Sequence, residues 1–118
     1  MRDKELQMLA AKAAGYAIEW CADWPGGGCF MNPVVPEPVD QGLSKRVPWA
    51  PIDDDGDALR LAADLRLKVL PGRLPGDGCT VESQRQGIPG CTTFRDDKRE
   101  QMRRAIVHVA AEIGKAMP

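Results

Sequence analysis

A chain of 118 residues with 16 Lys+Arg against 17 Asp+Glu has room for one domain, here taken as 1–118, and carries almost no net charge. At this length about 65% of the unfolded surface is buried on folding, which gives one modest core and not two. The charge balance excludes a strongly basic nucleic-acid clamp, and no apolar run approaches the roughly 18 residues of a membrane span.

Gly (12) and Pro (10) together make nearly a fifth of the residues, while aromatics are only 5%. Turns must therefore be many, and the core must be built from Leu, Val, Ile, Met and Ala. Asp3 is placed to cap a first helix that runs to about Ala14, with Leu6, Leu9, Ala10 and Ala13 on one stripe and Gly15 as its stop. From Tyr16 the period changes to two: Tyr16, Ile18 and Trp20 alternate with Ala17, Glu19 and Cys21, the pattern of a half-buried strand. Asp23 to Gly28 reads as a turn, and Cys29-Phe30-Met31 as the returning strand of a hairpin.

Between Asn32 and Pro51 five prolines, at 33, 36, 38, 48 and 51, remove backbone donors, and no regular element is expected there. A second helix starts within the acidic run Asp53-Asp54-Asp55-Gly56-Asp57 and continues to Leu65. Carboxylates at a helix start cap free N–H groups and complement the helix dipole. Leu67 and Val69 open a strand closed by Pro71-Gly72, and Cys79–Ser83 and Cys91–Arg95 are two more short strands around the turn Gly87-Ile88-Pro89-Gly90. Asp97 with Glu100 three residues on marks the start of a last helix, whose apolar stripe is Met102, Ala105, Ile106, Val109, Ala110 and Ile113. The order helix, strands, helix, strands, helix predicts an α+β fold: a small antiparallel sheet covered by about three helices, with long Pro/Gly-rich loop excursions at about 25–51 and 71–90.

None of the motifs states a chemistry. Asp53, Asp55, Asp57 and Asp64 fit positions one, three, five and twelve of a calcium loop, but position six requires Gly and holds Ala58. Gly26-Gly27-Gly28 lacks the Gly-Lys-Ser/Thr of a nucleotide loop. Cys21, Cys29, Cys79 and Cys91 lack the tight spacing of a zinc knuckle and are read as reduced thiols, although their pairing is left open. His108 falls on the polar side of the last helix, between Arg104 and Glu112, and is expected as an exposed titrating group. Lys98, Arg99, Arg103 and Arg104 share that helix with Asp96, Asp97 and Glu100. They form either a solvated face or a contact for an acidic partner or nucleic acid. Trp20, Trp24 and Trp49 border the proline-rich stretch, either as hot-spot side chains for a partner or as staples holding the stretch to the sheet.

Three stretches carry a family resemblance: Leu9 to Gly15, Trp49 to Ala62 with its Trp-x-Pro, acidic run and Ala-rich helix, and Arg104 to Ala116. Together they resemble the small proteins of tailed phages and proteobacterial prophages grouped as the phage ABA sandwich domain. The resemblance covers about half the chain and implies a helix-sheet-helix fold and a phage accessory product, with no catalytic residues to carry over. The chain departs from that pattern after Met31 and between Pro71 and Gly90, which puts weight on those loops as recognition elements.

The function expected from the sequence is a phage- or prophage-encoded, non-enzymatic binding protein in the host cytoplasm. It would act on a host protein as a modulator or inhibitor of a defence system. Trp20, Trp24, Trp49, Arg99 and Arg103 are the candidate binding residues, and no catalytic residue, metal or cofactor is expected. One alternative is a binder that sequesters a nucleotide signal, with Arg and Trp around a pocket at an oligomer interface. A weaker one is a metal-dependent hydrolase on Asp53–Asp57, which needs a second set of carboxylates. Pairing into a homodimer is one way for so small a chain to complete its core.

Overall fold

The computed structural model describes residues 3–16, 18–21, 28–31, 47–73 and 76–117. Among them are three helices, α1 (Asp3–Ala14), α2 (Asp55–Asp64) and α3 (Lys98–Ala116), and six strands. The strands are β1 (Ile18–Cys21), β2 (Gly28–Met31), β3 (Val47–Trp49), β4 (Lys68–Leu70), β5 (Cys79–Glu82) and β6 (Cys91–Thr93). The fold is α+β in the expected order. The strands pair as two antiparallel meanders, β1-β2-β3 and β4-β5-β6.

One element was not expected. β3 lies inside the proline-rich stretch, where Pro48 pairs with Phe30. A proline is tolerated there because β3 is the outer strand of its sheet, so one of its two edges needs no donor.

Helix boundaries follow local chemistry. α1 ends in a Schellman motif, with Tyr16 N–H donating to Ala11 C=O (2.9 Å), Gly15 N–H to Lys12 C=O (3.2 Å), and Gly15 at φ 77°. α2 ends in the same motif, with Leu67 N–H on Ala62 C=O and Arg66 N–H on Ala63 C=O. Here the left-handed position is held by Arg66, at φ 53°. Asp54 caps the start of α2 by accepting from Asp57 N–H, and Asp97 caps α3 by accepting from Arg99 N–H. Glu100 does not complete a capping box; it pairs with Arg104 and Arg95.

The organising element is α3, which packs on α1, α2, β5 and β6. Its predicted stripe is buried from Ala105 to Ile113, with Met102 only partly so; Val107, Ala111 and Gly114 are buried as well, because neighbours cover more of the helix than one sheet face would. α1 and α3 pack on each other, and both carry small buried residues: Ala10, Ala11 and Ala13 on α1, Ala110, Ala111 and Gly114 on α3. At the tightest point of the seam between them a Cβ added to Gly114 would lie 2.1 Å from the carbonyl oxygen of Leu9, so only glycine permits that approach. Val81 and Cys79 point from β5 into the core, while Thr80 and Thr92, paired across strands, hydrogen-bond through their hydroxyls on the opposite face (2.9 Å).

Candidate functional site

At its N-terminal end α3 meets two connections, the one leaving β4 and the one leaving β6, and between them lies a cavity of about 480 Å3. The size is that of a small-ligand site. Its apolar lining comes from Pro71, Cys79 and Met102. Asp77, Arg95, Asp96, Lys98 and Arg99 supply the charged lining.

The walls are fixed by two devices. Gly72 approaches Asp77 so closely that an added Cβ would fall 2.3 Å from the Asp77 Cβ, which brings these two positions of the β4–β5 connection against each other. Gln101, only 6% exposed, donates from Nε2 to the Arg95 carbonyl (2.9 Å) and, at longer range, to that of Asp77 (3.5 Å). Its own backbone carbonyl accepts from the Thr93 hydroxyl at 2.6 Å. One buried amide therefore ties α3 to both connections. Gln101 was not singled out from the sequence; the available signal is a polar residue one turn before Ala105, at the head of the apolar stripe.

The charged groups around the cavity differ in how far they are committed. Arg95 faces Glu100 at 3.7 Å, and Arg99 faces Asp55 at 3.6 Å. Lys98 and Asp96 have no ion-pair or hydrogen-bond partner among the described residues. Cys79 and Cys91 are free thiols on the core side of the sheet, and burial pushes both upward from the ordinary thiol value. That favours the protonated, unreactive form.

Of the five sequence candidates, the side chains of three are described: Arg99 and Arg103 meet at Asp55, and Trp49 is a core residue. Arg99 lines the cavity. Arg103 does not: its side chain is 14% exposed, with Nε donating to the Ile52 carbonyl (2.7 Å) and Nη1 to Asp55 (2.6 Å), so it fastens the start of α2 to α3. Trp49 is 2% exposed, its ring edge-on to Tyr16 with centroids 5.8 Å apart, and it belongs to the core. Trp24 lies outside the described residues, as do the side chains of Trp20, Cys21 and Cys29. In the basic cluster, Arg104 is held by Glu100 (3.2 Å) and Asp3 (3.3 Å), so it staples α3 to the start of α1.

Three carboxylates of the acidic run are occupied by structural contacts. Asp54 caps α2, Asp55 binds Arg103, and Asp57 accepts from Ala50 N–H (3.0 Å) and Arg60 (2.7 Å). Among the described residues no group of three or more His, Cys, Asp or Glu is placed to hold a metal ion. His108 is half-buried where an exposed side chain was expected, and burial together with nearby Arg104 lowers its pKa.

Comparisons with family models, curated proteins and solved structures yield no match. No helix among the described residues is long and apolar enough to cross a membrane.

Proposed function

We propose that this is a non-enzymatic binding protein whose ligand site is the cavity at the start of α3. The observation that carries the reading is the cavity itself: about 480 Å3, apolar lining from Pro71, Cys79 and Met102, and charged side chains around it. Ligand pockets combine an apolar body with a few placed polar groups in this way. Further support comes from the fate of the groups that would otherwise do chemistry. The Asp54, Asp55 and Asp57 carboxylates are engaged in capping and ion pairs, and the Cys79 and Cys91 thiols are held protonated.

The test is thermal denaturation with a panel of small carboxylates, phosphates, amines and zwitterions, on the native chain and on Met102→Trp, which projects an indole into the cavity. Ligands that bind the native state raise its melting temperature. The reading requires at least one compound to stabilise the native chain and not the variant. A panel with no effect on either, or an equal effect on both, overturns it.

A protein partner, such as a host protein met by a phage product, is a second reading favoured by one observation. Phe94 is 64% exposed, with its ring edge over Gly78, between the cavity residues Asp77 and Cys79. An exposed aromatic side chain is of the type that anchors protein interfaces. Capture of one defined host protein by the native chain, lost in both Phe94→Ser and Met102→Trp, is the expected result. Capture unchanged in both variants rejects it.

A further inference from the structure

We infer that the cavity takes an apolar zwitterion, an α-amino acid or short peptide with a hydrophobic side chain. The inference rests on the binding function proposed above and names its ligand. Its basis is the state of the charges around the cavity. Arg95 and Arg99 are partly neutralised by Glu100 and Asp55, whereas Lys98 and Asp96 face the same cavity with no partner among the described residues.

One uncommitted cation and one uncommitted carboxylate beside an apolar recess match a ligand that carries both signs next to an apolar group. The ligand carboxylate meets Lys98 at the start of α3, where the helix dipole also favours negative charge. The ligand ammonium meets Asp96, with Asp77 adding negative potential. The side chain enters between Pro71, Cys79 and Met102. A polyanion such as a nucleoside di- or triphosphate is disfavoured, because Asp77 and Asp96 would lie against its phosphates. A simple cation lacks a use for Lys98 and is repelled by Arg95 and Arg99.

The experiment measures binding of L-phenylalanine, 3-phenylpropionate, phenethylamine and the dipeptide Phe-Phe to the native chain, Lys98→Ala and Asp96→Asn by ligand-observed NMR. Both substituted positions are exposed, so the fold is retained in each variant. L-phenylalanine is expected to bind the native chain about fivefold tighter than either single-charge analogue, the range of one exposed ion pair. Lys98→Ala is expected to weaken L-phenylalanine but not phenethylamine, and Asp96→Asn to weaken it but not 3-phenylpropionate, as a thermodynamic cycle requires. Binding of Phe-Phe without L-phenylalanine, with the same dependence on both variants, identifies a peptide as the source of the same chemistry. If an analogue binds as tightly as the zwitterion, if the variants act on all ligands alike, or if no zwitterion binds by about 10 mM, the inference is overturned. A different compound that stabilises the native chain but not Met102→Trp would leave the binding function standing and reject this ligand alone.

Discussion

The two ends of α3 solve opposite packing problems. Towards its C-terminus the helix packs on α1, both with small buried residues, and at Gly114 the backbones approach until no side-chain atom fits between them. Towards its N-terminus it meets two connections through Gln101, Met102 and charged residues, and the approach stops short, leaving the cavity. The difference follows from residue size and polarity. Small apolar residues let two regular helices close on each other. A buried amide that must reach two loop carbonyls holds its neighbours at hydrogen-bonding distance, and the larger side chains around it do not fill the remaining space. Close packing is therefore concentrated at the rear of the helix and open volume at the front.

The sharpest way to break the comparison is Gly114→Ala. On an isolated helix the change would stabilise by about 1 kcal/mol. Here the new Cβ meets the Leu9 carbonyl, backbone against backbone, and a net loss of about 2–3 kcal/mol is expected in urea denaturation. A stabilised variant would show that the seam is not closed.

Next in size is Arg103→Met, which keeps the apolar stem but leaves the Ile52 carbonyl without its donor and Asp55 with only the longer Arg99 pair. A loss of about 2 kcal/mol is expected, the magnitude of hydrogen bonds to a charged group in a mostly buried setting. A change within experimental error would mean that the front half does not depend on polar ties.

A smaller effect belongs to His108, between the two ends. Its folded pKa lies below the ordinary value, so the unfolded chain binds the proton more readily, and this contribution to stability rises with pH. The contribution is complete above the unfolded pKa, near 6.5, and is lost as the pH falls from there towards the lowered folded value. Denaturation curves between pH 5 and 8 should show this slope in the native chain and a shallower one in His108→Gln. Equal slopes would place the imidazole in solvent.

The smallest expected effect on stability is that of Lys98→Ala, within about 0.5 kcal/mol, because the side chain is exposed and has no partner among the described residues. A loss above 1 kcal/mol would show that Lys98 supports the fold, and would remove it from the site.

Much of the fold was legible because its signals are local. The acidic start of α2, the cap Asp97, the stop at Gly15 and the stripe of α3 each depend on a few neighbouring residues, although which carboxylate of the run caps α2, Asp54, came only from the structure. β3 was not legible, since Pro48 argues against a strand unless the strand's outer position in the sheet is known. The division into two meanders depends likewise on which strands meet, and alternation along a strand does not name its partner.

The site was legible only in part. Arg99 stood out by type, but Arg103, one helical turn away, has the same chemistry and opposite exposure, decided by the arrival of Asp55 and the Ile52 carbonyl from a distant segment. Trp49 illustrates the same limit: composition marks tryptophan for interfaces and cores alike, and its contact with Tyr16 is what places it in the core. The cavity itself is assembled from segments near residues 71–79 and 95–102, which no local pattern brings together.

The most direct test is amide NMR of the native chain titrated with L-phenylalanine. The account predicts saturable shifts confined to Gly72, Asp77–Cys79 and Arg95–Met102, with Leu9 and Gly114 unmoved. Saturation without shifts at these positions, or shifts centred on the seam between α1 and α3, would contradict it.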